Sequence, residues 1–128
     1  MIQDKNIRVL VVDDAGSMRK VLVSIIKSLG ISHVFEASDG TSALHIIKDT
    51  ELDVIICDWE MPKMNGLDLF IEVKKMENPP PFILVTSVSE MKKVKNAIEQ
   101  GIEHYIVKPL KPETISKKLS SLFPISDS

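Results

Sequence analysis

The sequence predicts an α/β protein, a doubly wound five-stranded parallel sheet with five helices. Five short apolar runs alternate with five stretches of helical periodicity. The runs are continuously apolar more than alternating, which marks strands buried on both faces by helices. All five glycines fall at element edges. Right-handed crossovers then leave few topologies, of which the doubly wound sheet covers both faces.

The elements follow in chain order. Residues 9–12 are a short apolar run ending at Asp13-Asp14. Met18, Val21, Leu22, Ile25, Ile26 and Leu29 repeat at helical spacing, and Gly30 stops them. Val34-Phe35 makes a weaker strand. Ala43, Leu44 and Ile47 share a helix face after Asp39-Gly40. Residues 54–57 form the third strand. Leu67, Phe70 and Val73 mark a helix after Asn65-Gly66. Three prolines, 79–81, forbid helix and feed the run 82–85. Met91, Val94 and Ile98 give a further helix face, closed by Gly101. Tyr105-Ile106-Val107 is the fifth strand. Ile115, Leu119 and Leu122 mark the last helix after Pro112.

The 128 residues suit one domain, with a core over about 7–123 and a frayed tail over 123–128. A chain of this length buries a core without staples. Its net charge of -2 carries no nucleic-acid footprint. The single Cys57 cannot form an internal disulfide and suits a reducing compartment. No apolar stretch approaches the roughly 20 residues that cross a bilayer. The N-terminus lacks a basic region followed by an apolar one, so no secretion signal is expected and the predicted address is the cytoplasm.

In a doubly wound sheet, ligands bind beyond the carboxyl ends of the strands. Asp13 and Asp14 follow the first strand, Asp58 the third, Thr86 and Ser87 the fourth, and Lys108-Pro109 the fifth. Three carboxylates in one pocket resist joint ionisation. A hard divalent cation relieves this, and Mg²⁺ binds carboxylates while keeping positions for water and phosphate oxygens. Asp14 and Asp58 would hold it, with Asp13 behind. Asp58, after the central buried strand, is the candidate nucleophile for an aspartyl phosphate. Lys108 would pair with a phosphoryl oxygen and Thr86 would donate a hydrogen bond. Taken alone, Asp13-Asp14 also suits a helix N-cap, Asp58 a turn, Lys108 a solvated lysine and Thr86 strand filler. Their matching positions at the strand ends favour the site.

The segments VVDD…MR, DWEMPKMNG, VTS and VKP, in this order and each after a predicted strand, resemble the receiver domain of bacterial response regulators, and among them the single-domain chemotaxis regulators. The resemblance runs from about residue 8 to 122. It implies a flavodoxin-like sheet of order 2-1-3-4-5 and a phosphorylation-controlled switch that is not an enzyme beyond its own Mg²⁺-dependent phosphoryl transfer and autodephosphorylation. Asp58 would be the phosphoacceptor. Asp14, Asp13 (mostly through water) and the backbone carbonyl of Glu60 would complete the metal site. Thr86 and Tyr105 would be the switch pair and Lys108 the phosphoryl-binding lysine, with a cis Lys108–Pro109 bond. A chemotaxis-type sensor histidine kinase would be the donor. An effector such as a flagellar motor switch protein would bind the face of the fourth helix, fifth strand and fifth helix. On that face Lys92, Lys93, Lys95, Tyr105, Lys117 and Lys118 are candidate contacts, or simply a solvated surface. The expected state is a monomer, with neither nucleic acid nor membrane as partner.

Ser87 stands where a small Ala or Gly is usual in that family, so its hydroxyl either crowds the phosphoryl group or adds a bond to it. Glu60 and Val88 occupy positions that tune hydrolysis there, and Asn65 replaces a frequent Asp. Trp59 either packs beside the site or is a partly covered surface ring. His33, His45 and His104 share no metal spacing. Met61, Met64, Met76 and Met91 read as core or loop filler.

Other classes fit less well. A phosphatase of the haloacid dehalogenase type needs a second Asp two positions after the first, but Ala15 and Gly16 stand there. A flavin carrier needs a hydroxyl-rich loop after the first strand, and DDAGSM is acidic. An unphosphorylated scaffold would not need the full acidic set. A phosphorelay intermediate, or a regulator of a non-motility partner, is the alternative that sequence does not separate from the motor role.

Overall fold

The computed structural model describes residues 6–123. The expectations for the N-terminal residues 1–5 and for a frayed tail over 124–128 lie outside the described residues. Phe123, which the sequence reading counts with both core and tail, donates its N–H to the Leu119 carbonyl at 2.9 Å, and its side chain packs against the core.

Five strands alternate with five helices: β1 (Arg8–Val12), α1 (Gly16–Ser28), β2 (His33–Ala37), α2 (Gly40–Asp49), β3 (Val54–Asp58), α3 (Gly66–Val73), β4 (Phe82–Thr86), α4 (Met91–Glu99), β5 (His104–Val107) and α5 (Pro112–Ser120). The strands pair in parallel in the order β2-β1-β3-β4-β5. This is the predicted topology.

Successive strand residues point to opposite faces, so each central strand feeds two cores. Val9, Val11, Ile56, Ile83 and Val85 pack with Leu22, Ile25 and Ile26 of α1 and Ile115 and Leu119 of α5. Leu10, Val12, Ile55, Cys57 and Leu84 pack with residues of α2, α3 and α4. Burial on both sides explains why the central strands read as unbroken apolar runs.

Glycine punctuates the helices as the sequence suggests. Gly30 and Gly101, just past α1 and α4, hold φ of 97° and 111°, the left-handed conformation that ends a helix at no Cβ penalty. Asn65 opens α3 with a reciprocal box: it accepts from the Asp68 N–H at 2.8 Å, and Asp68 accepts from the Asn65 N–H at 3.2 Å. Asn65→Ala is expected to lower unfolding free energy by about 1 kcal/mol, read as a lower urea midpoint at unchanged m-value.

Several local expectations are corrected. Val21 is half exposed, and Val23 takes its place in the buried stripe of α1. On α4 the buried residues are Val94 and Ala97, while Met91 and Ile98 face solvent. The helix is only nine residues long and rests on the sheet through one narrow stripe. Trp59 is 4% exposed and belongs to the core, so the surface-ring reading fails. No helix among the described residues is long and apolar enough to cross a membrane.

Candidate functional site

Sheet order reverses at β1, with β2 on one side and β3 on the other, so the loops after β1 and β3 flank a crevice. Asp13 is the first residue beyond β1. Its N–H donates to the Ala37 carbonyl at 3.1 Å, continuing the ladder with β2. Its Oδ1 accepts from the Ala15 N–H at 2.9 Å. Ala15, with no side-chain bond, is the N-cap of α1, so the Asp13-Asp14 pair does not cap the helix. Arg19, one turn into α1, donates from Nη1 to the Asp13 carbonyl at 2.7 Å and from Nε to Glu36 at 3.1 Å. It ties the acidic loop to β2, a role that sequence reasoning missed.

Asp58 is the last residue of β3, in register with Val85 of β4. Asp13 and Asp58 are buried, at 3% and 6% exposure, while Asp14 is exposed. One carboxylate oxygen from each of the three lies within 4.8 Å of the others. Among the described residues this is the one such group of acidic, histidine or cysteine side chains; His33, His45 and His104 join none.

Burial pushes both buried carboxyls above their ordinary range. At Asp13 the Ala15 N–H and Lys108 oppose the rise, while Asp14 adds to it. At Asp58 Lys108 opposes it, and Asp13 and Glu90 add to it. The pocket thus holds oxygens whose charge is incompletely compensated by the protein. That donor set, all oxygen, fits a hard divalent cation.

Lys108 follows β5 and places Nζ 2.9 Å from Asp58 Oδ1. That oxygen has no aligned hydrogen-bond donor, so the contact is an ion pair without directional bonding. Partial burial disfavours the ammonium, but Asp58 and Asp13 outweigh it and hold Lys108 above its usual value. Its backbone is fixed by an N–H bond to the Thr86 carbonyl at 2.7 Å, and the Lys108–Pro109 bond is cis, as anticipated. Thr86, at the tip of β4, is fully buried, and its hydroxyl makes only a long bond of 3.3 Å to the Ser87 carbonyl. Behind Asp58, the thiol of Cys57 donates to the Asp58 carbonyl at 3.2 Å, and burial raises it far from reactivity.

Ser87 is engaged within the turn that follows β4. Its hydroxyl donates to Glu90 Oε1 at 2.8 Å and lies 2.9 Å from Ser89 Oγ, and its N–H donates to the same Glu90 oxygen at 2.9 Å. Residues Val88–Glu90 form a 3-10 turn before α4. Glu90, buried at 6% exposure, is absent from the sequence reading. The Ser87-x-x-Glu90 spacing was its signal, a capping-box pattern ahead of an apolar-periodic stretch. The neighbouring Glu90 carboxylate pushes the exposed Glu60 carboxyl above its ordinary range. Burial works against the Glu90 charge, but the Ser87 N–H and hydroxyl prevail and lower its carboxyl.

The remaining predicted residues lie around this pocket. Tyr105 pairs with Leu84, two residues short of the strand tips, half-buried against the core. Lys92, Lys93 and Lys95 are exposed on α4, and Lys93 Nζ sits 3.9 Å from Glu60 Oε1. Lys117 is exposed on α5 and Lys118 half-buried. The structure therefore gathers Asp13, Asp14, Asp58 and Lys108 at one crevice with Thr86 at the next strand tip, and leaves the lysines on the adjoining surface.

Residues 9–120 match the family model of the response regulator receiver domain. The chemotaxis protein CheY-3 of Vibrio cholerae serotype O1 is 33% identical over 124 residues, covering 95% of each chain. The CheY homolog of Campylobacter jejuni is 36% identical over 118 residues, covering 90% of this chain and 91% of the relative. Among solved structures, the chemotaxis response regulator CheY4 of Vibrio cholerae superposes with a TM-score of 0.81 at 31% identity, over 91% of this chain and 98% of the other. The receiver domain of NtrX from Brucella abortus gives 0.83 at 26% identity, over 92% and 99%.

Proposed function

Because the chain belongs to the response regulator receiver family, a family of signalling switches, we propose that Asp58 accepts a phosphoryl group from a sensor histidine kinase. The observation that carries this reading is the buried Asp58 carboxylate held 2.9 Å from Lys108 within the three-acid crevice. A carboxylate oxygen of Asp58 forms the new O–P bond as the donor's P–N bond breaks, and the leaving imidazole nitrogen takes up a proton from solvent. Lys108, kept cationic by Asp58 and Asp13, binds a phosphoryl oxygen. Thr86, whose hydroxyl is weakly engaged, turns to donate to another. Asp13, Asp14, Asp58 and the Glu60 backbone carbonyl would hold Mg²⁺, which when bound neutralises charge on the crowded oxygens.

The movement of Thr86 is coupled to Tyr105, shifting a pre-existing equilibrium of α4, β5 and α5. Residues 7–123 act as one receiver unit. The active face, with Lys92, Lys93, Lys95, Tyr105, Lys117 and Lys118, binds an effector. Chemotaxis relatives that match over nearly their full length support a flagellar motor switch protein as that effector, a chemotaxis-type kinase as donor and the cytoplasm as location.

Incubation with acetyl phosphate and Mg²⁺, followed by intact mass, is expected to show one added phosphate. Asp58→Asn is expected to show none. Labelling that survives in the variant would move the phosphoacceptor elsewhere. A pull-down of the motor switch protein with and without beryllofluoride tests the effector.

A further inference from the structure

Both peptide units that flank Asp13 are anchored to the end of β2, one of them through a side chain of α1. The Asp13 N–H donates directly to the Ala37 carbonyl at 3.1 Å. The Asp13 carbonyl belongs to the peptide that joins it to Asp14, and it accepts from Arg19 Nη1 at 2.7 Å. Arg19 Nε donates in turn to Glu36 Oε1 at 3.1 Å, and Glu36 immediately precedes Ala37. The Arg19 side chain is largely covered, at 21% exposure, and its Nη2 lies over the start of α1, 3.8 Å from where a Cβ on Gly16 would stand. A surface ion pair would need only the Glu36 contact. A planar fork that spans a carboxylate and a backbone carbonyl fixes an angle as well as a distance. The Asp13 carboxylate is placed separately, by the Ala15 N–H on Oδ1. Asp14 is exposed, so packing does little to place it, and the peptide plane that Arg19 holds sets where its Cα stands.

We propose that Arg19 is a positioning residue of the three-acid crevice: braced by Glu36, it holds the Asp13–Asp14 peptide so that the two carboxylates stand where a divalent cation needs them. This rests on the reading of that crevice as a Mg²⁺ site. Arg19 acts through the backbone carbonyl that it bonds. Its charge works against this role, because a guanidinium beside the site repels the cation. The geometric and the electrostatic contributions of Arg19 to cation binding therefore have opposite signs, and substitution separates them.

The test is calorimetric titration of the metal-free protein with MgCl₂, well below the melting temperature of every variant, so that lost stability does not register as lost affinity. Arg19→Gln removes both the charge and the fork. It is expected to bind Mg²⁺ about tenfold more weakly than wild type, the lower range for losing a group that orients a metal ligand. Arg19→Lys keeps the charge, but a single ammonium cannot span both acceptors, and it is expected to weaken binding in the same direction. Glu36→Ala and Glu36→Gln lose the same charge. Glu36→Gln keeps an oxygen for Arg19 Nε and is expected to bind Mg²⁺ more tightly than Glu36→Ala. An arginine that acts by charge alone gives tighter binding in Arg19→Gln and wild-type binding in Arg19→Lys. One that only staples α1 to β2 lowers the melting point of each variant in EDTA and leaves Mg²⁺ affinity unchanged. Either pattern overturns the inference and leaves the crevice as the metal site. A wild type that takes up no Mg²⁺ overturns both.

Discussion

Gly66→Ala is expected to destabilise the protein by about 3 kcal/mol or more, the upper range for overpacking a rigid site. A Cβ at Gly66 would stand 2.5 Å from the Asp58 carbonyl oxygen, 2.7 Å from Leu84 Cδ1 and 3.1 Å from Trp59 Cα. Leu84 can change rotamer, but the backbone of residues 58 and 59 cannot retreat. Asp58 ends a strand buried on both faces, the Trp59 N–H is bonded to the Val85 carbonyl at 2.9 Å, and the Gly66 N–H to the Trp59 carbonyl at 2.9 Å. Relief must come from moving the loop that carries Asp58. Labelling by acetyl phosphate is therefore expected to fall along with the urea midpoint, even under conditions where the variant is folded. Gly16→Ala is the control. It opens a helix too, yet its Cβ would meet only Arg19 Nη2 at 3.8 Å, and the exchange is expected to be neutral or slightly stabilising. Equal melting of Gly66→Ala and wild type would show that the loop yields freely and that Asp58 is not rigidly held.

The sheet was legible because burial on both faces leaves a direct trace: residues 9–12, 54–57 and 82–85 are apolar without interruption, and all are nearly inaccessible. The strand-end rule then located Asp13, Asp14, Asp58, Thr86 and Lys108 without knowledge of any contact. What stayed hidden depends on angles that periodicity does not fix. Val21 sits at the edge of the α1 stripe, where a small rotation decides between core and solvent. Met91 and Ile98 bracket Val94 at helical spacing, yet the buried neighbour is Ala97, because a small residue lets α4 approach the sheet. Trp59 was ambiguous because a single residue after a strand has no period to read. Glu90 and Arg19 were missed for a different reason. Each is a charged residue made partly or wholly inaccessible by side chain to backbone bonds, and composition treats such residues as surface. The Ser-x-x-Glu spacing marks Glu90 in hindsight; Arg19 carries no local signal, since its partners, Asp13 and Glu36, lie on two different strands' ends.

Asp13→Asn is expected to melt higher than wild type in the absence of divalent metal. Burial raises the Asp13 carboxyl, with Asp14 adding to the rise, so the folded state disfavours its charge relative to the unfolded chain. The sign follows directly. A raised folded pKa means that the native protein binds protons that the unfolded chain releases. The stabilisation from protonation is complete below the ordinary carboxylate value of 3.8 and is lost as pH climbs through the raised folded value. Asp58 contributes in the same direction. Metal-free wild type is accordingly expected to gain stability from this pair on mild acidification, against the usual trend for paired surface carboxylates. Asn keeps the oxygen that accepts the Ala15 N–H and removes the charge, so the gain at neutral pH is expected to be on the order of 1 kcal/mol, or about 4 °C. Mg²⁺ reverses the ranking. A cation that binds only the folded state stabilises wild type in proportion to its affinity, and the variant, short of one negative oxygen, gains less. Thermal melts at neutral and mildly acidic pH, in EDTA and in Mg²⁺, read all of these effects at once. If the variant melts below wild type in EDTA, the Asp13 carboxylate is favourably compensated by the protein alone, and the crowding that calls for a cation does not exist.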